Sequence, residues 1–233
     1  FNIPNGQTAF PGAAKFRDVN NSGTVDLDDA TCLGEVMPRH TGSFQLNFNY
    51  KNFDLSSNFN WTAGGKVYNV AAMINASGQE FDGIGAQRTS WVADTYKVYN
   101  VNSSGDLYAV TDPNELNALN ANAKYHLPYH QSGITSSEWL EDGSYLRLQT
   151  LTLGYTLPHT VLNKIHIEKL RIYLTATNLF TITGYSGIDP EVNATPTGQS
   201  GFYSNLRVFP TLNMDFGTYP RARTFTLGAN ITF

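Results

Sequence analysis

Strict alternation of apolar and polar residues is the strongest pattern along the chain. In GSFQLNFNYK the apolar side chains fall at every second position, at Phe44, Leu46, Phe48 and Tyr50. A period of two over about ten residues indicates a β-strand with one apolar face. Four further segments show the same pattern, so that the predicted strands cover roughly 42–51, 53–63, 143–157, 168–180 and 222–233. The sequence therefore predicts an all-β protein.

The third strand breaks its own alternation. Leu146 and Leu148 share one parity, whereas Leu151 and Leu153 share the other. A β-bulge near Gln149 and Thr150 would add one residue and return all of these leucines to one face. We therefore predict a bulge within the third strand.

The connections between the strands have very unequal lengths. The first two strands are joined by a tight hairpin and the third and fourth by a short link, while the other two connections are far longer than is usual in a compact domain. Tight turns at one end and long loops at the other are typical of an outer-membrane β-barrel. A soluble sandwich or jelly roll also alternates apolar and polar residues, so that class remains open.

The polar positions of the strands also favour a barrel. They are mostly Asn, Thr, Ser and Gln rather than Lys and Glu, which suits a wet lumen opposite a lipid-facing surface. Because the smallest such barrels have about eight strands, five strands predict a portion of a larger barrel.

Composition excludes several classes of protein. The net charge is −4 and only 15% of the 233 residues are charged, which is unlike the basic footprint of a nucleic-acid binder. The single cysteine, Cys32, excludes an internal disulfide framework and a Cys-based zinc site. The chain opens without an initiator Met or a charged leader, so we expect it to be part of a longer protein.

The segment DVNNSGTVDLDDA has the spacing of a calcium-binding loop, with a glycine at its sixth position. Oxygen ligands at this spacing favour Ca²⁺, and the missing carboxylate at the fifth position predicts weak binding. The alternative is an Asx-rich turn that needs no ion. The predicted ligands are Asp18, Asn20, Ser22, Thr24, Asp26 and Asp29.

The long connection between the second and third strands contains two further features. His126 and His130 have i, i+4 spacing, but Pro128 interrupts the helix that would align them, which favours a surface loop over a metal site. In DPNELNALNANA, Asp112 as N-cap and Pro113 at the first position predict a short helix.

Aromatic residues in the same connection could stack on sugars or contact a partner, but internal packing of the loop is the favoured interpretation, and we assign no substrate site from them. They are Trp91, Tyr96, Tyr99 and Tyr108. No G-x-S-x-G, H-E-x-x-H or phosphate-binding glycine motif occurs in the chain. The sequence therefore predicts a protein that is not an enzyme.

Four motifs in order resemble those of SusC/RagA-type TonB-dependent outer-membrane transporters. The first is the acidic loop FRDVNNSGTVDLDDA, and the last is the terminal strand YPRARTFTLGANITF. Between them lie EWLEDGSYLRLQTLTLGYTLP and TNLFTITGYSGIDPEVN. The resemblance extends over nearly the whole chain.

The resemblance implies a 22-stranded transmembrane β-barrel with long extracellular loops, in a Gram-negative, Bacteroidota-like outer membrane. It implies energy from the TonB–ExbB–ExbD complex, a SusD-like surface lipoprotein as lid, and import of an oligosaccharide or a peptide. The closing Phe233 resembles the terminal aromatic by which the assembly machinery recognises such barrels.

The chain would be the C-terminal part of such a barrel, without the plug and the TonB box. Residues 1–41 would form an extracellular loop with the calcium segment, and 42–233 the last five strands with their loops. The 64–142 and 181–221 connections would be extracellular, and the short turns would lie in the periplasm. The remainder of the barrel and outer-membrane lipid would surround the sheet.

A second hypothesis belongs to a different functional class. The same alternation and the same acidic loop would suit a secreted, calcium-stabilised β-sandwich that binds carbohydrate or protein. The two hypotheses differ in what covers the apolar faces of the strands, which is lipid in the first and a second sheet in the other.

Overall fold

A computed structural model describes residues 2–3, 7–8, 10–77, 93–127, 136–162, 167–192 and 213–233. The chain divides into two compact units. Unit 1 comprises Phe1–Leu33 and Ala71–Trp139, and unit 2 comprises Gly34–Val70 and Leu140–Phe233. The predicted division into residues 1–41 and 42–233 concerns the roles of the two parts of the chain, and these compact units do not test it.

The described residues are mostly strand and contain few helices. Single turns of 3-10 helix occur at Leu27–Asp29 and Ser137–Trp139. The helices are α1 (Val70–Ser77), α2 (Pro113–Leu119) and α3 (His159–Leu162). The strands are β1 (Asn2–Ile3), β2 (Gln7–Thr8), β3 (His40–Tyr50), β4 (Phe53–Ala63), β5 (Lys66–Asn69), β6 (Tyr99–Val101), β7 (Leu107–Ala109), β8 (Leu140–Asp142), β9 (Tyr145–Thr156), β10 (Lys169–Thr183), β11 (Met214–Asp215) and β12 (Thr224–Thr232).

Unit 2 is built on a five-stranded antiparallel sheet in the order β12-β10-β9-β4-β3. These are the five strands that the alternation predicts, and each begins and ends within three residues of its predicted bounds. The all-β prediction is therefore confirmed for the described residues. In the same part of the chain, β3 and β12 are paired along one edge only.

A two-residue turn closes the hairpin between β3 and β4. Tyr50 pairs with Phe53 across it, and Lys51 has a φ of 53°. A left-handed residue in a two-residue turn matches the right-handed twist of the flanking strands. This geometry sets the register of the whole hairpin.

The predicted bulge in β9 is confirmed. Asn58 of β4 pairs with Thr150, but the next residue, Phe59, pairs with Leu148, so that Gln149 is the extra residue. The extra residue changes the parity of the strand and places Leu148 and Leu151 on the same face. The neighbouring strand β10 also shifts register here, between Thr177 and Phe180.

One face of the five-stranded sheet is apolar and open. Registered neighbours across it include Phe48 with Leu55, Leu55 with Leu153, Leu153 with Leu174, and Leu174 with Leu227. Phe48 is 60% exposed and Leu227 is 76% exposed. Exposed apolar surface on this scale marks a contact with lipid or another protein.

The opposite face carries short polar side chains. Across it Asn47 pairs with Ser56, Ser56 with Thr152, and Thr152 with Thr175. The hydroxyls of Thr152 and Thr175 lie 3.0 Å apart. The sheet is therefore amphipathic, as the sequence pattern predicts.

A small three-stranded sheet of order β11-β5-β8 also belongs to unit 2. Val67 of β5 forms a compact core with Tyr185 and Val192, which lie in the segment that follows β10. This core anchors the start of the β10–β12 connection.

Unit 1 contains the β6–β7 hairpin and α2. The Asp112 carboxylate accepts the N–H of Glu115 at 3.2 Å, and Pro113 occupies the first turn. The predicted helix and its cap are therefore confirmed. None of the described helices has the length and apolar character that crossing a membrane requires.

Candidate functional site

The polar face of the sheet carries an open cavity of about 520 Å³ in unit 2. Hydroxyl and amide side chains from neighbouring positions of β3 and β4 form one part of its lining, which we call the floor, and residues of the β10–β12 connection form another part. The floor includes Thr41, Ser43, Asn60 and Thr62, and the connection contributes Glu191 and Val192. The floor offers a ligand hydrogen bonds from uncharged groups.

A buried arginine lies beside this cavity. Arg147 is 2% exposed and stands on the polar face of β9, paired with Asn60. Its Nη2 donates to Asp189 Oδ1 at 2.6 Å and its Nη1 donates to Glu191 Oε2 at 3.2 Å. Its Nε donates to the Thr181 hydroxyl at 3.0 Å. All three nitrogens of the guanidinium are therefore engaged.

A second arginine completes the cluster. Asp189 and Glu191 lie in the first limb of the β10–β12 connection, residues 184–192 after β10, whereas this arginine lies in the second limb, residues 213–223 before β12. Arg221 Nη2 lies 2.7 Å from Glu191 Oε1, and its Nε lies 4.0 Å from Asp189 Oδ2. We call Arg147, Asp189, Glu191 and Arg221 the charged clasp. It contains two cations and two anions, so its formal charges compensate one another within the cluster.

A second polar cluster ties the two limbs together. The Tyr185 hydroxyl donates to Asp215 Oδ2 at 2.6 Å. Burial raises the pKa of Tyr185, and its hydrogen bond to Asp215 raises it further. Burial acts against ionisation of Asp215, but the backbone N–H of Thr218 and the Tyr185 hydroxyl outweigh it, and the pKa of Asp215 is lowered.

The first limb is also attached to β5 and β8. The Glu141 carboxylate accepts the backbone N–H and the hydroxyl of Ser186, both at 2.7 Å. Asn69 donates to the same carboxylate at 2.9 Å. These bonds hold the start of the connection against the small sheet.

A different ion pair lies near the β3–β4 turn, at the other end of the polar face. Arg171 Nε donates to Asp54 Oδ1 at 2.9 Å across the intervening strand. Gly154 lies between them, and a Cβ there would collide with both side chains. The absence of a side chain at Gly154 therefore makes room for this bridge.

The acidic loop of unit 1 is held by its own carboxylates. Asp18 accepts the N–H groups of Ser22 and Gly23, at 3.1 and 2.8 Å. Asp29 accepts those of Val19 and Asp26, at 2.7 and 2.9 Å. The backbone N–H of Asp26 is the main reason that the pKa of Asp29 is lowered.

Three of the other predicted ligands contribute to the same loop. Asn20 accepts the Ser22 N–H at 2.8 Å, and the Ser22 hydroxyl donates to the Thr24 carbonyl at 3.0 Å. Within the described ranges, no three His, Cys, Asp or Glu side chains form a group that could hold a metal ion. The carboxylates that accept these N–H groups still have lone pairs with which they could bind a cation. The same hydrogen bonds, however, also stabilise an Asx turn that holds no ion. The calcium site stays a prediction.

The other residues singled out in the long connection have separate outcomes. His126 pairs with Glu138, with Nε2 3.1 Å from Oε2, whereas His130 and Trp91 lie outside the described residues. The Tyr96 ring lies against Gly12, as expected for internal packing. Tyr99 is 55% exposed, so that expectation is wrong for this residue.

The charged clasp was not predicted from the sequence. Arg147 is the one charged residue of the strand segment YLRLQT, in which the other residues are apolar or uncharged polar. Asp189 and Glu191 flank Pro190 in the segment IDPEV. A lone arginine on a predicted polar face is the signal that could have identified it. Alternation alone says nothing about which acids reach that arginine.

Comparisons with known proteins identify relatives that align with almost the whole chain. No family model matches the chain. The TonB-dependent receptor P3 of Formosa agariphila is 30% identical over 223 residues, which cover 96% of this chain and 19% of that receptor. The TonB-dependent receptor SusC of Bacteroides thetaiotaomicron is 27% identical over 225 residues, which cover 94% of this chain and 17% of SusC.

Solved structures show the same fold. The RagAB peptide importer in its open-open state matches with a TM-score of 0.58 at 24% identity, over 86% of this chain and 18% of that one. The chain thus spans about a fifth of the curated relatives that it matches. These relatives are receptors and importers rather than enzymes. The chain is therefore similar, over almost its whole length, to a part of the SusC/RagA-type TonB-dependent transporters, as its four motifs predict.

Proposed function

We propose that this chain is the C-terminal part of a SusC-like TonB-dependent importer in a Gram-negative outer membrane. Residues 42–233 supply the last five strands of a 22-stranded barrel with their loops, and 1–41 form an extracellular loop. The proposal rests on the amphipathic sheet, whose apolar face is exposed and whose strands β3 and β12 pair on one edge only among the strands that the structure describes.

Each face of the sheet has a role in this proposal. The apolar face lies in lipid, where every backbone polar group must be paired, so the two edges continue into further strands of the barrel. The polar face lines the lumen. Its hydroxyl and amide groups let a polar solute exchange hydrogen bonds along the passage.

The partners follow from the same proposal. A SusD-like surface lipoprotein covers the lumen, and TonB–ExbB–ExbD supplies the energy through a plug. The cargo is a peptide or an oligosaccharide, in keeping with the description of RagAB as a peptide importer and the uncharged floor of the cavity. A secreted β-sandwich gains no support from these relatives, which are TonB-dependent receptors.

Fractionation of cells that express the complete protein tests this proposal. We expect the protein in the outer membrane, soluble only with detergent, and co-purifying with a lipoprotein. Deleting its gene should abolish uptake of a labelled peptide or oligosaccharide fraction, and the gene supplied in trans should restore uptake. Recovery of the complete protein in a detergent-free soluble fraction would contradict the proposal.

We also propose that the loop containing Asp18 and Asp29 binds Ca²⁺ weakly and thereby rigidifies an extracellular surface, with a Kd of about 10⁻⁴–10⁻³ M. Terbium luminescence on the purified protein should saturate and be displaced by Ca²⁺, and Asp18→Asn should abolish the signal. Asp106→Asn, outside the loop, is the matched control. An unchanged signal in Asp18→Asn would leave the Asx-rich turn as the correct interpretation.

A further inference from the structure

We propose that Arg147 is a positioning residue, which holds the segment Ser186–Val192 over the polar face and thereby fixes one wall of the cavity. The role assigned to this wall, as part of a substrate passage, rests on the proposed function. The four side chains of the charged clasp join β9 to both limbs of the β10–β12 connection.

The buried position of Arg147 requires partners that compensate its charge. A guanidinium that is 2% exposed has lost its water and must be compensated by hydrogen bonds and opposite charge. Asp189, itself 6% exposed, provides a contact of 2.6 Å. Removing either partner would take from the other its shortest charged contact and leave a buried charge with weaker compensation, so the segment is strongly bound to β9.

The clasp also joins the two limbs of the connection to each other. Glu191 contacts Arg147 through one carboxylate oxygen and Arg221 through the other. Arg221 follows β11, whereas Glu191 follows β10. The connection is therefore closed at its base by the same charges that attach it to the sheet.

The segment held by the clasp is part of the cavity wall. Val192 is 2% exposed and packs with Val67 and Tyr185. Glu191 and Val192 line the cavity together with Asn60 and Thr62. If the clasp opens, this wall loses its charged anchor and only the small apolar core retains it.

Thiol accessibility at Val192 provides a direct test. In the complete, detergent-purified protein, with Cys32 and any further cysteines replaced by serine, Val192→Cys places a small apolar thiol in the buried position. We expect slow labelling by a maleimide. Adding Arg147→Met should accelerate labelling at least about tenfold, because the local opening becomes easier.

Arg171→Met is the matched control, since it removes the same side chain from a different ion pair at the far end of the polar face. Both variants are expected to lower the unfolding midpoint, but only Arg147→Met should accelerate labelling at Val192. Arg147→Lys, which keeps the charge and loses the forked geometry, should give an intermediate rate. Equal labelling rates in the Arg147→Met and Arg171→Met proteins would overturn the proposal.

Two gentler variants keep the test decisive if Arg147→Met does not fold. Arg221→Gln removes the ion pair between Arg221 and Glu191, and Glu191→Gln removes the charge that contacts both arginines. Both variants should accelerate labelling at Val192. No acceleration in either would overturn the proposal. Absence of the complete protein from the outer membrane would contradict the proposed function, whereas the labelling of purified protein would still decide the role of the clasp.

Discussion

Glycines on the polar face make room for the larger side chains of neighbouring strands. Gly154 lies under the bridge between Asp54 and Arg171, and Gly228 lies under the ring of Tyr173. The Arg171 guanidinium in turn lies 5.1 Å from the centre of the Tyr173 ring. These contacts join four strands near the β3–β4 turn, where a cation above an aromatic ring is also favourable.

Gly154→Ala is expected to destabilise the sheet by about 1 kcal/mol, because the new methyl group displaces the ends of Asp54 and Arg171. Urea unfolding of the detergent-solubilised complete protein measures the change. Gly184→Ala is the matched control, since a Cβ there meets no atom within 4 Å. Equal stability of the two variants would contradict the role of Gly154.

At the scale of an element, the bulge in β9 decides which residues face the polar side. Gln149 is the extra residue, and Leu146, Arg147 and Leu148 precede it on the side of the charged clasp. A shift by one residue turns every side chain of a strand segment to the other face. Because of the bulge, the leucines on both sides of Gln149 lie on the apolar face, while Arg147 is buried on the polar face.

Deletion of Gln149 should prevent assembly of the complete protein into the outer membrane. The deletion would turn Arg147 toward the apolar face, or else force the residues beyond the bulge to change faces. Gln149→Ala keeps the length of the strand and should assemble. The amount of heat-modifiable protein in outer membranes distinguishes the two, and normal assembly of the deletion variant would be the contrary result.

The pair formed by His126 and Glu138 gives the loop segment of unit 1 a dependence on pH. The bond to Glu138 raises the pKa of His126 above its ordinary 6.5, against the opposing effect of burial. The stabilisation is therefore complete below pH 6.5 and is lost as the pH rises through the raised value.

Hydrogen exchange of residues 125–127 should accordingly quicken as the pH rises from 6.5 through the raised pKa, after correction for the intrinsic rate. Glu138→Gln should remove this change, because the neutral amide does not favour the charged imidazolium. An identical pH profile in wild type and variant would show that the pair does not stabilise the segment.

At the scale of the whole molecule, the two faces of the sheet demand different surroundings. Phe48 and its registered neighbours form an open apolar surface, while Asn47 and its neighbours form a polar one. β3 and β12, among the described strands, pair on a single edge. The proposed barrel satisfies both features at once, since lipid covers the apolar face and further strands continue the hydrogen bonding.

Leu46→Arg should destabilise the complete protein in lipid bilayers by about 2–4 kcal/mol, the cost of an arginine near the middle of a lipid-facing strand, here β3. Asn47→Arg, one residue away on the polar face, should cost less than about 1 kcal/mol, since the lumen hydrates its charge. Urea unfolding in bilayers measures both values. Equal costs would show that the two faces do not differ in their surroundings.

The alternation in the sequence determined the five strands, their amphipathic faces and the bulge at Gln149, because a period of two and a break in parity are local properties. The cap at Asp112 was also predictable, since its hydrogen bond lies within one turn of helix. The four motifs predicted the relationship to SusC/RagA-type transporters, which the comparisons confirm.

Tertiary structure alone decided which distant groups meet. Arg147 contacts acids more than forty positions away, and Asp54 meets Arg171 across a strand that has a glycine between them. Alternation assigns a residue to a face, but it carries no information on the register between distant strands or on the path of a connection. Sheet register and loop closure bring these charges together, and both depend on backbone pairing throughout unit 2.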